Sequence, residues 1–181
     1  MSKLFVDSNQ FFNLSLDLAK KIFSSNFKCD VVLGVSRGGC IPGIIVHEYL
    51  NYKGMKCDYS NVSIKSYNDD NTQSNNTFID MSDYTKEQLK NKQILIIDDV
   101  FDTGNTMMSL GNYLSNIGIY SDNFKIGCVY YKPTNNVTTI IPHYYEQKRE
   151  EWIVFPHELM GLTEREVEFK LRGWLHLLII L

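Results

Sequence analysis

The chain has 181 residues, 44% hydrophobic and 22% charged, with a formal net charge of −3 and a pI near 5.8. That balance supplies a core for one globular domain and excludes a disordered or fibrous chain. The mild negative charge argues against a nucleic-acid coat or a polybasic membrane binder, since both need a positive field to gather phosphates. Cys29, Cys40, Cys57 and Cys128 are too scattered for a disulfide framework or a C-x-x-C clamp. The residues after Met1 do not read as a secretory leader, so the expectation is reduced thiols in a cytoplasmic protein.

In chain order, Phe11, Leu14, Leu18 and Ile22 recur at helical spacing after Ser8-Asn9, which predicts an amphipathic opening helix. Val31 to Val35 is a short apolar run rich in β-branched residues. It is ended by Ser36-Arg37-Gly38-Gly39 and followed by a helical pattern through Ile44, Ile45 and Leu50, giving strand, glycine turn and helix. Asp58 to Lys65 alternates as a strand. Ser66 to Thr77 then contains almost nothing that could be buried and reads as a long loop, a lid or a plain surface excursion. Gln93 to Ile97 is apolar on both faces, as a central strand of a parallel sheet would be. A helix with Met107, Leu110, Leu114 and Ile117 on one face follows, then a strand from Phe124 to Tyr131. The run from Gly173 to Leu181 is apolar but short of the roughly 20 residues that span a bilayer. It reads as a terminal strand or helix packed on the core or on a second subunit, with no membrane role. Alternating strands and helices predict an α/β fold with a mostly parallel central sheet flanked by helices.

Chemistry concentrates in Asp98-Asp99-Val100-Phe101-Asp102-Thr103-Gly104-Asn105-Thr106. Ligands of open α/β sheets collect beyond the carboxyl ends of strands, where a strand-to-helix turn offers backbone N–H groups to an anion. Thr103, Gly104, Asn105 and Thr106 suit a phosphate cradle, with glycine allowing close approach and the polar side chains adding hydrogen bonds. Carboxylates beside a phosphate need another task. Asp98 and Asp99 are hard oxygen donors for a sugar diol or for Mg²⁺, and Asp102 lies further into the turn, available for proton transfer.

This segment resembles the motif that binds 5-phosphoribosyl-1-diphosphate (PRPP) in type I phosphoribosyltransferases: an apolar strand, two acids, two apolar residues, then Asp-Thr-Gly-x-Thr. The resemblance implies that Asp98 and Asp99 bind the ribose hydroxyls and a metal, and that Asp102 to Thr106 wrap the 5-phosphate. Ser36-Arg37-Gly38 after the first strand is similar to the family's pyrophosphate loop, where a strained or cis peptide is typical at the Ser36-Arg37 step. Arg37 is a charged donor fork suited to a diphosphate. Asp102 and Arg37 are the catalytic candidates.

Tyr130-Tyr131-Lys132-Pro133 leaves a strand, and Trp152-Ile153 follows later. A lysine ammonium only donates hydrogen bonds, so Lys132 suits a carbonyl at purine position 6 and rejects an amino group there, while Trp152 offers a flat apolar face. With the loops above, these resemble the purine pocket of bacterial and archaeal xanthine-guanine and hypoxanthine phosphoribosyltransferases. By that resemblance Trp152 stacks on the base, the Ile153 backbone meets its 2-position edge, Glu158 helps bind a second Mg²⁺, and Ser66-Tyr67 opens a lid.

The expectation is a single domain over 1–181: a core of about 30–135, a small C-terminal base-binding hood of about 136–160, and an unassigned tail over 161–181. Its activity would be transfer of phosphoribose from PRPP to N9 of a 6-oxopurine with release of pyrophosphate, by a Mg²⁺-dependent homodimer or homotetramer without nucleic-acid partners. A PRPP-binding regulator without catalysis and a phosphoribosyltransferase for another base are the alternatives.

Overall fold

The computed structural model describes residues 2–67, 76–81 and 84–175, with the side chains of 65–67, 76–78 and 172–175 left aside. Its contacts divide the chain into a larger unit, residues 12–150, and a smaller one made from residues 1–11 and 151–181. The opening helix α1 (Ser8–Ser24) runs in sequence from the one into the other.

The larger unit is built on a six-stranded sheet. In chain order its strands are β2 (Val31–Ser36), β3 (Asp58–Tyr67), β4 (Asn76–Asp80), β5 (Ile94–Phe101), β6 (Phe124–Tyr131) and β7 (Tyr144–Lys148), arranged β4-β3-β2-β5-β6-β7. All neighbours are parallel except β3 and β4, so the expected α/β fold with a mostly parallel sheet is the one observed. Apolar β-branched residues can fill β2 and β5 on both faces because helices cover both. Val31, Leu33 and Val35 of β2, Ile94 and Ile96 of β5, and Ile126 and Cys128 of β6 share one core with Met107, Leu110 and Leu114 of a helix over Asn105–Asn116. On the opposite face, Leu18 and Ile22 of α1 approach Ile97 and Gly127, and the helix α2 (Cys40–Tyr52) packs on β2 and β5. Between β4 and β5 a one-turn helix, α3 (Lys86–Leu89), starts with a reciprocal capping box between Thr85 and Gln88; the Asn105–Asn116 helix is therefore α4. Cys29, Cys57 and Cys128 are buried, Cys40 is partly covered, and all four are free thiols.

Two sequence expectations change. The segment Ser66 to Thr77 is not irregular from end to end: Ser66 and Tyr67 close β3 and pair with Thr77 and Asn76 of β4 in an antiparallel register. Polar residues can form these ends because the antiparallel pairing supplies their backbone partners. The expected lid tip, residues 68–75, lies outside the described residues. The central strand also runs on past Ile97, through both aspartates to Phe101.

The smaller unit pairs β1 (Lys3–Phe5) with β8 (Trp152–Val154) in parallel, Lys3 opposite Trp152 and Phe5 opposite Val154. A helix, α5 (Glu164–Leu175), completes it, with Phe169 edge-on to Phe5 at 5.7 Å between ring centres. Lys3 Nζ donates to Glu166 Oε1 at 2.6 Å. Residues 176–181, most of the expected apolar tail, lie outside the described residues. No helix among the described residues is long and apolar enough to cross a membrane.

Candidate active site

Three loops of the larger unit leave the carboxyl ends of adjacent parallel strands: Ser36 to Gly39 after β2, Asp102 to Gly104 after β5, and the residues from Lys132 onward after β6. This is where open parallel sheets collect ligands. A cavity of about 230 Å³ opens here, lined by residues 98–104 with Thr106 and Met107.

The acidic end of β5 is held in the sheet rather than in the turn. Asp98 lies opposite Cys128, Val100 opposite Tyr130 and Phe101 opposite Tyr131. Asp99 is 7% exposed, its backbone N–H donates to Asp98 Oδ1 at 3.0 Å, and its own Oδ1 accepts from Val100 N–H at 2.8 Å. Burial, and then the neighbouring Asp99 charge, push the Asp98 carboxyl well above its ordinary value. Two carboxylates crowded in a covered site favour a compensating cation.

The β2 loop rests directly on this acidic end. A Cβ on Gly38 would fall 1.9 Å from Asp99 Oδ2, and one on Gly39 would fall 2.5 Å from the Ile97 carbonyl oxygen. Only glycine lets the loop approach so closely. The Ser36-Arg37 peptide is cis, the geometry implied by the resemblance to the pyrophosphate loop. Ser36 Oγ lies 3.5 Å from Cys40 Sγ, and Arg37 is exposed.

The turn expected to cradle a phosphate is the one from β5 into α4. Gly104 is the N-cap in the left-handed region, φ +82°, and no side chain caps the helix. First-turn N–H groups have no intrahelical acceptor and suit an anion, and the first turn carries no acid to compete with one. Thr103, Asn105 and Thr106 are exposed around it, with Thr103 Oγ1 3.4 Å from the Asn105 nitrogen.

Lys132 enters through the register of β5 and β6. Its backbone N–H donates to the Phe101 carbonyl at 2.9 Å, one step beyond the Phe101–Tyr131 pair, so the residues that follow the two strands are neighbours. Lys132 Nζ donates to Asp102 Oδ2 at 3.1 Å, and Asn135 Nδ2 donates to Asp102 Oδ1 at 2.8 Å. Asp102 is therefore not a helix cap but an acid gripped at both oxygens. Asn135 was not singled out from the sequence, although its place just past Lys132-Pro133, at a strand's carboxyl end, was the available signal.

Trp152, Ile153 and Glu158 belong to the smaller unit. Trp152 is 54% exposed and Ile153 is buried. Glu158 Oε2 accepts from the Phe155 N–H at 3.2 Å, while Lys170 Nζ donates to the Phe155 and Glu158 carbonyls. His157 stacks on Phe155 at 5.6 Å between ring centres. Ser66 and Tyr67 stand at the end of β3.

A model of the phosphoribosyl transferase domain matches residues 5–160. Xanthine-guanine phosphoribosyltransferase of Idiomarina loihiensis is 30% identical over 128 residues, 71% of this chain and 70% of that protein. Among solved structures, a purine phosphoribosyltransferase from Pyrococcus horikoshii matches with a TM-score of 0.72 at 30% identity, over 91% of this chain and 99% of that one. The xanthine-guanine-hypoxanthine phosphoribosyltransferase of Helicobacter pylori, at 19% identity and a TM-score of 0.63 over 85% and 92% of the two chains, shares the fold. A family model over most of the length, on a site with an acidic strand end, an uncapped helix and a glycine loop, makes this chain a member of the type I phosphoribosyltransferase family.

Proposed function

We propose that the chain transfers the 5-phosphoribosyl group of PRPP to N9 of a 6-oxopurine, hypoxanthine, guanine or xanthine, and releases pyrophosphate. The observation that carries this reading is the Lys132–Asp102 pair, whose acid lines the cavity at the end of β5. A donor-only ammonium beside an acid matches one edge of a 6-oxopurine, where the carbonyl O6 and N7 are themselves neighbours. Lys132 would turn to O6 and Asp102 would take the N7 proton as N9 bonds to C1 of the ribose. The C1–oxygen bond breaks with its electron pair leaving on pyrophosphate. The first-turn amides of α4, with Thr103 to Thr106, would hold the 5-phosphate, and Ser36, Arg37 and Gly38 the diphosphate.

Asp98 and Asp99 fit Mg²⁺: they are adjacent hard oxygen donors, and a cation would offset the burial and the neighbouring charge that raise Asp98. Among the described residues no three His, Cys, Asp or Glu side chains gather around one point. When bound, Mg²⁺ offsets the charge on the departing diphosphate. The same two carboxylates would accept hydrogen bonds from the ribose hydroxyls. Glu158 is the candidate for a second ion, Trp152 and the Ile153 backbone for the base, and Ser66-Tyr67 for the start of a lid. Exposed Ile41 and Ile44 on α2 support a homo-oligomer, a dimer or tetramer; the setting proposed is cytoplasmic.

The test is to incubate the protein with PRPP, Mg²⁺ and each of hypoxanthine, guanine, xanthine, adenine and orotate, and to follow nucleotide formation. Product from 6-oxopurines alone is expected. Product from orotate or adenine instead would replace the base assignment, and PRPP binding without any product would leave a regulator.

A further inference from the structure

We propose that Asn135 is a positioning residue for the transfer reaction, holding the Asp102 carboxylate so that one oxygen is kept for the proton at N7. The proposal rests on the functional reading above. Its basis is geometric. Asn135 Nδ2 stands 2.8 Å from Asp102 Oδ1 while Lys132 Nζ stands 3.1 Å from Oδ2, so the two donors take one oxygen each.

The chain delivers Asn135 by a short route. Lys132 is fixed by its hydrogen bond to the Phe101 carbonyl, Pro133 follows, and the Asn135 N–H returns to the Lys132 carbonyl at 3.3 Å, closing a turn. Proline presets the backbone for such a turn. Beyond it the loop is tied down again: Val137 N–H donates to the Thr103 carbonyl at 3.0 Å, and Thr138 Oγ1 donates to Asn136 Oδ1 at 2.8 Å. A Cβ on Gly104 would meet these same Asn136 and Thr138 side chains. Asn135 is thus clamped on both sides, partly buried, with its amide against a carboxylate. Of the two ends of an amide, only the NH₂ can face that acceptor.

A purine carbonyl that draws Lys132 away would leave Asn135 on Oδ1. The carboxylate plane stays fixed, and Oδ2 is presented to N7.

The experiment is a double-mutant cycle of Asn135→Leu and Asp102→Asn, with kcat and the KM for PRPP measured for all four proteins. Asn135→Leu is expected to lower kcat about tenfold, the scale of a hydrogen bond to a charged group. The KM for PRPP should stay within about twofold, and in the Asp102→Asn background the same substitution should cost less than about twofold. Equal losses in both backgrounds, or a loss confined to the KM for PRPP, would overturn the assignment and leave Asn135 a turn residue. Should Asn135→Leu fail to fold by circular dichroism, Asn135→Asp, of the same shape with an acceptor for the donor, takes its place in the cycle. No nucleotide from wild-type protein with any base defeats the functional reading itself; wild-type activity with additive losses defeats only the role of Asn135.

Discussion

Lys132 is buried against Asp102: its side chain is 4% exposed, that of Asp102 36%, and Nζ lies 3.1 Å from Oδ2. A lysine seldom accepts such burial without a charged partner. In the proposed function, base recognition and proton transfer would both depend on this one contact.

Replacing Lys132 with methionine keeps the stem and removes the charge. Because water still reaches Asp102, the stability loss should be about 1 kcal/mol, not the ~3–5 kcal/mol of a fully buried pair that is broken. The kcat/KM for a 6-oxopurine should fall roughly 10- to 100-fold, the worth of a charge-assisted hydrogen bond. Thermal melting and steady-state kinetics on one preparation check both parts.

Asp102→Asn keeps the shape and removes the proton acceptor. Turnover should drop ~10²–10⁴-fold, with the KM for PRPP nearly unchanged, because in the proposed function the 5-phosphate would be held by α4 amides and hydroxyls. Equal turnover in the two proteins rejects the proton-transfer role.

Gly38→Ala places a methyl 1.9 Å from Asp99 Oδ2. Either the carboxylate swings away or the loop lifts, and overpacking of this kind costs about 1–3 kcal/mol. PRPP affinity should fall with it. Gly111→Ala is the matched control: the nearest atom to the new methyl is 3.8 Å away, in Phe124. In the body of α4 this change should stabilise by about 1 kcal/mol, so melting curves of the two variants should shift in opposite directions.

Glu166 gives a pH prediction for the smaller unit. Its carboxyl is lowered to about 2, first by the hydrogen bond from Lys3 and then by those from Thr163. A depressed acid contributes stability that is present above its unfolded value, near 4.5, and is lost as the pH falls through about 2. The difference in melting temperature between wild type and Glu166→Gln should therefore hold steady above pH 4.5 and close in strong acid. Carboxyl carbon NMR should give a midpoint near 2, moving up toward 4.5 in Lys3→Met.

The central strands were legible because Val31 to Val35 and Ile94 to Ile97 are apolar on both faces, which a parallel sheet between helices requires. Their true ends were not. Asp98 and Asp99 look like the start of a turn, yet they stay in the ladder because β6 supplies backbone partners as far as Tyr131. β1 and β8 are three residues each, too short for any periodicity, and their pairing lies far apart in the chain. In the site, Asp98 to Thr106 could be read as a unit because the motif is contiguous. Asn135 could not, since its role follows from a strand register that brings residues 33 apart into contact. The partnership of Lys132 with Asp102 escaped notice for the same reason, although each was picked out alone.

The β1–β8 ladder has a practical corollary for anyone dissecting this protein. An excised piece beginning at residue 151 would carry β8 and α5 but lack the strand that completes their ladder, along with the Lys3 contact to Glu166. To recover that unit in isolation, residues 1–11 would have to be spliced by a short linker to 151–175, replacing the long intervening sequence that otherwise brings the two pieces together.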